Sequence, residues 1–146
     1  MEDIAAIASF SDEAAGDFLL KLVYDHSMPL AQMNSAQKTL YLAIRLEDTC
    51  QADALSSLAE EPALAGAIPE MQQALETLHL PETAAAMAAL CEMLRESGTA
   101  IPDWEWFTAP ERKERIAALD KRIASYPDGA PLPHYAAYLR AHAAQI

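Results

Sequence analysis

Residues 37–59 read QKTLYLAIRLEDTCQADALSSLA, and the way this stretch must fold decides the architecture. It lies in the longest run free of Gly and Pro and mixes large apolar residues with charges on a helical rhythm. Leu40, Tyr41 and Ile44, continued by Leu55 and Leu58, make one apolar face, while Leu42 and Leu46 fall on the other flank. A helix that is apolar on more than one side is buried by neighbours on several sides, so this segment is predicted to be a central rod. Asn34 with Gln37 three residues on forms a capping-box pattern at its start. Thr49–Asp53 places poor helix formers in succession, which predicts a break and two helices in line.

The rest of the chain supplies the surrounding helices. Its 146 residues include 31 alanines and 18 leucines but one valine. Strands favour β-branched and aromatic residues, whereas Ala, Leu, Glu, Gln and Met favour helix. The expectation is an all-α fold: a single domain over residues 1–146, with about six to eight short helices around the central one. Residues 1–10 are an apolar lead with a frayed helical turn. Ser11 or Asp12 caps a helix to about Tyr24, ended by His26, Ser27 and Pro29. Glu60-Glu61-Pro62, Pro69-Glu70 and Pro81-Glu82 each open a short helix. Gly66 closes the first and Gly98 the last, at Ser97. Residues 99–107 form an internal loop, and Thr108 with Glu111 is a capping box for a helix that turns Ile116, Leu119 and Ile123 inward. The outer face of that helix carries Arg112, Lys113, Arg115, Lys121 and Arg122. Tyr126-Pro127-Asp128-Gly129 is a turn, and a last helix covers roughly residues 132–144.

The formal net charge is −12, from 22 acidic and 10 basic residues. It is uneven: residues 1–105 carry a net −14 and residues 106–146 a net +2. Direct nucleic-acid binding is disfavoured because phosphate contacts need clustered Lys and Arg, and an anionic membrane surface is disfavoured for the same reason. Acidity gives solubility, or an acidic face for a basic partner. Cys50 and Cys91 lie 41 residues apart in apolar helical contexts, as two buried free thiols would. Glu2 and Asp3 stand where a secretory signal needs positive charge. No apolar run approaches 18 residues, so a cytoplasmic location is expected.

No catalytic, cofactor or metal motif stands out. His134 and His142 are eight residues apart, about 12 Å along a helix, too far for one zinc ion. With His26 and His79 they read as helix-end or surface histidines. Glu47, Asp48 and Asp53 could supply carboxylates for metal or acid–base work, or partner Arg45 and cap a helix. Ser56-Ser57 lacks the elbow that exposes a nucleophile, and the four glycines stand singly, so no phosphate loop exists. Trp104-Glu105-Trp106-Phe107 either seals the core or presents Trp104 and Trp106 to a partner.

Leu40-Tyr41-Leu42, Leu46-Glu47, Ala52-Asp53-Ala54-Leu55-Ser56-Ser57-Leu58, and Ala74-Leu75-Glu76-x-Leu78 running into Glu82-Thr83-Ala84-Ala85 form a further pattern. With Leu119-Asp120 and Tyr126-Pro127, it resembles a bacterial all-helical family whose familiar member is an acidic DNA-mimic protein. The resemblance covers roughly residues 20–142. Many members carry an Asn-Gly-Gly step followed by a Gln-aromatic pair where this chain has Cys50-Gln51-Ala52 and Leu55-Ser56. The resemblance implies a partner among DNA-binding regulators.

Duplex DNA carries about one negative charge per 1.7 Å of axis, and a mimic must set carboxylates in rows. Glu60, Glu61, Glu70, Glu76, Glu82, Glu92 and Glu96 lie on successive short helices and are the candidate acidic face. Two classes of function follow. The first is a non-enzymatic binding module docking on a basic protein, either a DNA-binding regulator or a toxin in an immunity-like role. The second is a small enzyme or ligand-binding domain with a pocket near Glu47, Asp48 and Asp53. A homodimer that sets the basic helix 109–125 against a second acidic body is compatible with either.

Overall fold

The computed structural model describes residues 3–25 and 28–146. Every regular element in them is helical, as the excess of Ala and Leu predicts. The predicted rod is α3, Ser35–Ala52. Both halves of its capping box form: the Asn34 side chain accepts from the Gln37 N–H at 2.9 Å, and Gln37 reaches back to the Asn34 N–H at 3.0 Å. The expected break falls after Ala52, where Asp53 leaves helical backbone, and Leu55–Glu60 resumes as a 3₁₀ helix. Leu40 and Ile44 on one side of α3, and Leu42 and Leu46 on the other, are each at most 5% exposed. At roughly 2 kcal/mol for each fully buried large apolar side chain, such two-sided burial is what holds a rod in place.

Around α3 stand α1 (Ile4–Ala8), α2 (Asp12–Leu20), α4 (Pro62–Ala65), α5 (Ile68–Thr77), α6 (Pro81–Ser97), α7 (Trp104–Thr108), α8 (Pro110–Ala124) and α9 (Leu132–Ala141). α5 packs on both α3 and α6, α8 lies against α3 and α6, and α2 and α1 pack on α9. One apolar cluster runs through all of them, from Ile7 to Ala143. Both cysteines are buried free thiols. Among the described residues, no helix is long and apolar enough to cross a membrane.

Eight α-helices stand around α3 among the described residues, the upper end of the six to eight expected, and two of them have local causes. Residues 1–10 do not simply fray: Asp3 accepts from the Ala6 N–H at 2.7 Å and caps α1, which buries Ile7. Residues 99–107 are not all loop either. Asp103 accepts from the Trp106 N–H at 2.9 Å and starts α7. Thr108 therefore still belongs to a helix, and its hydroxyl donates back to the Trp104 carbonyl at 2.8 Å. The predicted capping box with Glu111 does not form, and Ala109 takes the cap position before Pro110.

α2 starts at its predicted cap, Ser11, but its regular part ends at Leu20 and Lys21–Asp25 wind as a π-helical turn. His26 and Ser27, the expected stop, lie outside the described residues. Gly98 ends α6 with φ 65°, in the left-handed region where a Cβ is penalised. The start of α6 has no cap of its own. Asp128, from the turn before α9, accepts from the N–H groups of Glu82 and Thr83 at 3.0 and 2.7 Å and from the Thr83 hydroxyl at 2.8 Å.

Candidate functional site

Glu47 and Asp48 sit on α3 one turn past Ile44, so all three share one side of the rod. Neither carboxylate partners Arg45, which instead pairs with Glu61 and lies over the rings of Tyr24 and Tyr41 at 5.8 and 5.6 Å. Tyrosines hold the two acids. The Tyr135 hydroxyl donates to one Glu47 oxygen at 3.0 Å, Tyr126 to the other at 2.8 Å, and Tyr24 to Asp48. Burial, followed by the Glu47 carboxylate, pushes the Tyr126 phenol up to about 12. The same two causes push Tyr135 well up, and burial with Asp48 raises Tyr24. All three phenols therefore remain protonated donors at ordinary pH. Tyr126 has φ 55°, a left-handed backbone costing about 1–2 kcal/mol in a non-glycine residue. The turn thus delivers its ring to Glu47 at some conformational expense.

On α2, Glu13, Gly16, Asp17 and Leu20 follow at i, i+3, i+4 and i+7, a single stripe. That stripe faces the Glu47–Asp48 side of α3 and the first turn of α9. Between them lies a solvent-open groove of about 330 Å³. Leu19, Leu20, Ile44, Leu132 and Tyr135 form its apolar lining, and Glu13, Asp17, Glu47 and Asp48 its polar one. Neither Lys nor Arg lines it. Gly16 permits the approach of α9, since a Cβ there would stand 3.3 Å from a Leu132 methyl. Leu20 is 55% exposed and Leu132 36%, so the apolar lining reaches the surface. Among the described residues, Glu13 and Asp17 pair with no cation.

Asp53, expected beside Glu47 and Asp48, ends α3 and does not line the groove. Its charge acts instead on Asp120, which accepts from the Leu55 N–H at 3.2 Å and contacts the Cys50 thiol. Burial, with that carboxylate beside it, pushes the Cys50 thiol far up; it is an inert core thiol. Asp120 of α8 thus pins the end of α3 to the start of the 3₁₀ helix.

The seven glutamates of the candidate acidic face are all exposed. Glu60 and Glu61 end the 3₁₀ helix, Glu70 and Glu76 lie on α5, and Glu82, Glu92 and Glu96 on α6. At 3.6 residues per turn the three on α6 fall within about 80° of one another, while Glu70 and Glu76 are about 120° apart. Glu61, Glu82 and Glu92 pair with Arg45, Arg122 and Arg95; the Glu82–Arg122 pair spans 2.8 Å. Glu76 accepts from Gln72 at 3.0 Å. Glu70 shares a depression with Lys38.

Trp106, a candidate contact residue, is a core residue instead. It is buried, its indole N–H donates to the Ser97 hydroxyl at 2.8 Å, and Arg112 covers its ring at 4.8 Å. Arg112 accordingly leaves the outer face of α8, its Nε donating to the Trp106 carbonyl at 2.9 Å. Trp104 stays 57% exposed.

His79, His134 and His142, distant in sequence, line one depression of about 340 Å³. His134 Nδ1 lies 2.9 Å from the Leu78 carbonyl and His142 Nδ1 2.9 Å from the Tyr138 carbonyl. Among the described residues, no three His, Cys, Asp or Glu side chains converge as metal ligands.

The expected pocket near Glu47 and Asp48 is present, but its α2 and α9 walls are not legible in the sequence because its parts come from residues 13–20, 44–48 and 132–135. Their one local signal was the stripe on α2, where acids and a glycine interrupt an apolar face.

A family model described as DMP19-like protein matches residues 31–142. No curated protein and no solved structure gives a significant match to the chain.

Proposed function

The chain belongs to the DMP19-like family, and from that premise we propose that it is a non-enzymatic acidic module that docks on a basic, DNA-binding protein in place of DNA. The observation carrying this reading is the disposition of charge. The chain has only six arginines, and five of them are already paired with carboxylates, namely Arg45, Arg95, Arg112, Arg122 and Arg140. The remaining acids dominate the field outside the molecule. Glu13 and Asp17, which pair with no cation among the described residues, stand about 6 Å apart along α2, an interval over which one DNA strand, charged every ~3.4 Å of axis, advances roughly two phosphates. A partner whose Lys and Arg read phosphates would meet fixed anions at a comparable pitch.

Capture from a bacterial lysate at low salt, followed by displacement, tests this. The recovered protein is expected to bind duplex DNA, to lose that DNA when the chain is added, and to release the chain as salt rises, because screening weakens exposed charge pairs. Partners that are acidic, or complexes indifferent to salt, would remove the reading. A recovered basic toxin with no DNA to displace would move the module to the immunity-like role.

The groove motivates a second reading, a small-molecule pocket, because it joins Glu47 and Asp48 to an apolar lining of a common ligand-site size. Metabolite-library binding that survives high salt and depends on those two carboxylates would favour it over docking.

A further inference from the structure

The groove between α2, α3 and α9 combines three features. Its accessible lining is largely apolar, two of its leucines reach solvent, and its rim is anionic with no internal cation. An apolar slot without charge would accept a hydrophobic side chain; a purely acidic surface would accept any cation. This one fits a side chain that is both, a long methylene stem ending in a positive head. Lys and Arg are built that way and settle their stems on apolar surface while the head seeks polar partners.

We infer that the groove seats a lysine or arginine side chain of a protein partner, its stem along Leu19, Leu20, Ile44 and Leu132 and its head among Glu13, Asp17 and Asp48. The inference rests on the docking reading above and deepens it by naming the anchor. The tyrosines account for the arrangement's rigidity. Tyr24 holds one oxygen of Asp48, and Tyr126 and Tyr135 hold Glu47, so these carboxylates are positioned before the partner arrives. Glu13 and Asp17 are exposed and free to close on the cation. Gly16 sets the slot's width by letting Leu132 approach to van der Waals range. Interface affinity concentrates in such central, partly apolar anchors ringed by polar groups.

The test uses the full chain and a synthetic helical peptide with Arg and Leu on one face, beside the same peptide with citrulline for Arg. Methyl and amide NMR spectra are expected to shift at Gly16, Leu20, Ile44 and Leu132 with the arginine peptide and not with citrulline. The Glu13→Gln/Asp17→Asn double variant is expected to weaken binding at least tenfold, and Leu20→Ser severalfold. Glu105→Gln/Glu114→Gln removes the same two charges from exposed positions away from the groove and is expected to stay within about twofold. All these side chains are exposed, and melting curves confirm that each variant folds.

Equal losses in the two charge-matched pairs would overturn the inference by leaving only a diffuse field. So would spectral shifts away from the groove, or spermidine displacing the peptide, which would assign the slot to a free polyamine. Self-association abolished by Leu20→Ser would hand it to a second copy and overturn it too. A groove that takes the peptide, in a chain that displaces no DNA from any captured protein, keeps this inference and removes the parent reading. Captured partners insensitive to the groove variants remove the groove alone.

Discussion

Carboxylates serve opposite ends in two regions of this molecule. Around α6 and α8 they hold the fold: Asp128 caps α6, Glu82 pairs with Arg122, and Asp120 accepts from the Leu55 N–H. Around the α2–α3–α9 groove, tyrosines fix Glu47 and Asp48, and among the described residues no cation answers Glu13 or Asp17. Formal charge counts both groups alike. The difference lies in whether a backbone N–H or a guanidinium from the same chain already occupies the oxygen. In the second region Glu13 and Asp17 are anions that an outside partner could claim without first breaking an internal contact.

The largest effect expected separates structural from exposed apolar residues. Leu90→Ala, in the core of α6, is expected to cost about 3 kcal/mol by urea denaturation, whereas Leu20→Ala on the groove should cost less than about 0.5 kcal/mol. A comparable loss at Leu20 would make the groove part of the core and break the contrast.

Next comes Asp128→Ala, expected to cost about 2 kcal/mol at pH 7, since three donors lose their acceptor. Burial alone would raise this carboxyl, but the N–H groups of Thr83 and Glu82 outweigh it and hold it below its usual range. A depressed acid contributes fully above its unfolded value of about 3.9 and loses that contribution as pH falls through its folded value. Melts repeated toward acid pH should therefore show the gap between variant and parent close below about pH 4. A gap that persists there would mean the loss is one of packing.

Tyr135→Phe is a smaller change, about 1 kcal/mol for one hydrogen bond to a charged acceptor with Tyr126 left in place. Tyr24→Phe, more exposed, should cost a few tenths. The smallest effect belongs to Asp120→Asn. Burial, more than its neighbour Asp53, raises this carboxyl, while the Cys50 and Leu55 contacts oppose the rise. A raised acid favours folding as pH drops through its folded value, the reverse of Asp128. The amide keeps an acceptor for Leu55, so Asn should be neutral within about 0.5 kcal/mol at pH 7 and should lack the parent's gain on mild acidification.

Most of the fold was legible because local chemistry dictates it. The Asn34–Gln37 box, the proline starts of α4, α5 and α6, and Gly98 act within a few residues of themselves. The errors have the same root. Thr108 has the residue type of a cap, but Asp103, five residues earlier, starts a helix that still contains it. Trp106 takes the core-sealing alternative, decided by a Ser97 partner that lies across a turn. Among the acids of α6, Glu92 has its arginine three residues on, but Glu82 finds Arg122 only 40 residues away. The groove is only partly legible: Glu47 and Asp48 and the α2 stripe point to it, but its walls come from three chain segments that only the fold brings together.

The α6 cap supplied by Asp128 also bears on how the chain comes off the ribosome. The N–H of Glu82 waits for an acceptor 46 residues downstream, so the first turn of α6 stays frayed during synthesis until the 126–129 turn emerges. A nascent chain stalled before that point would expose the N-terminal part of α6 to proteases, and docking of the last helix would coincide with the closing of an earlier one.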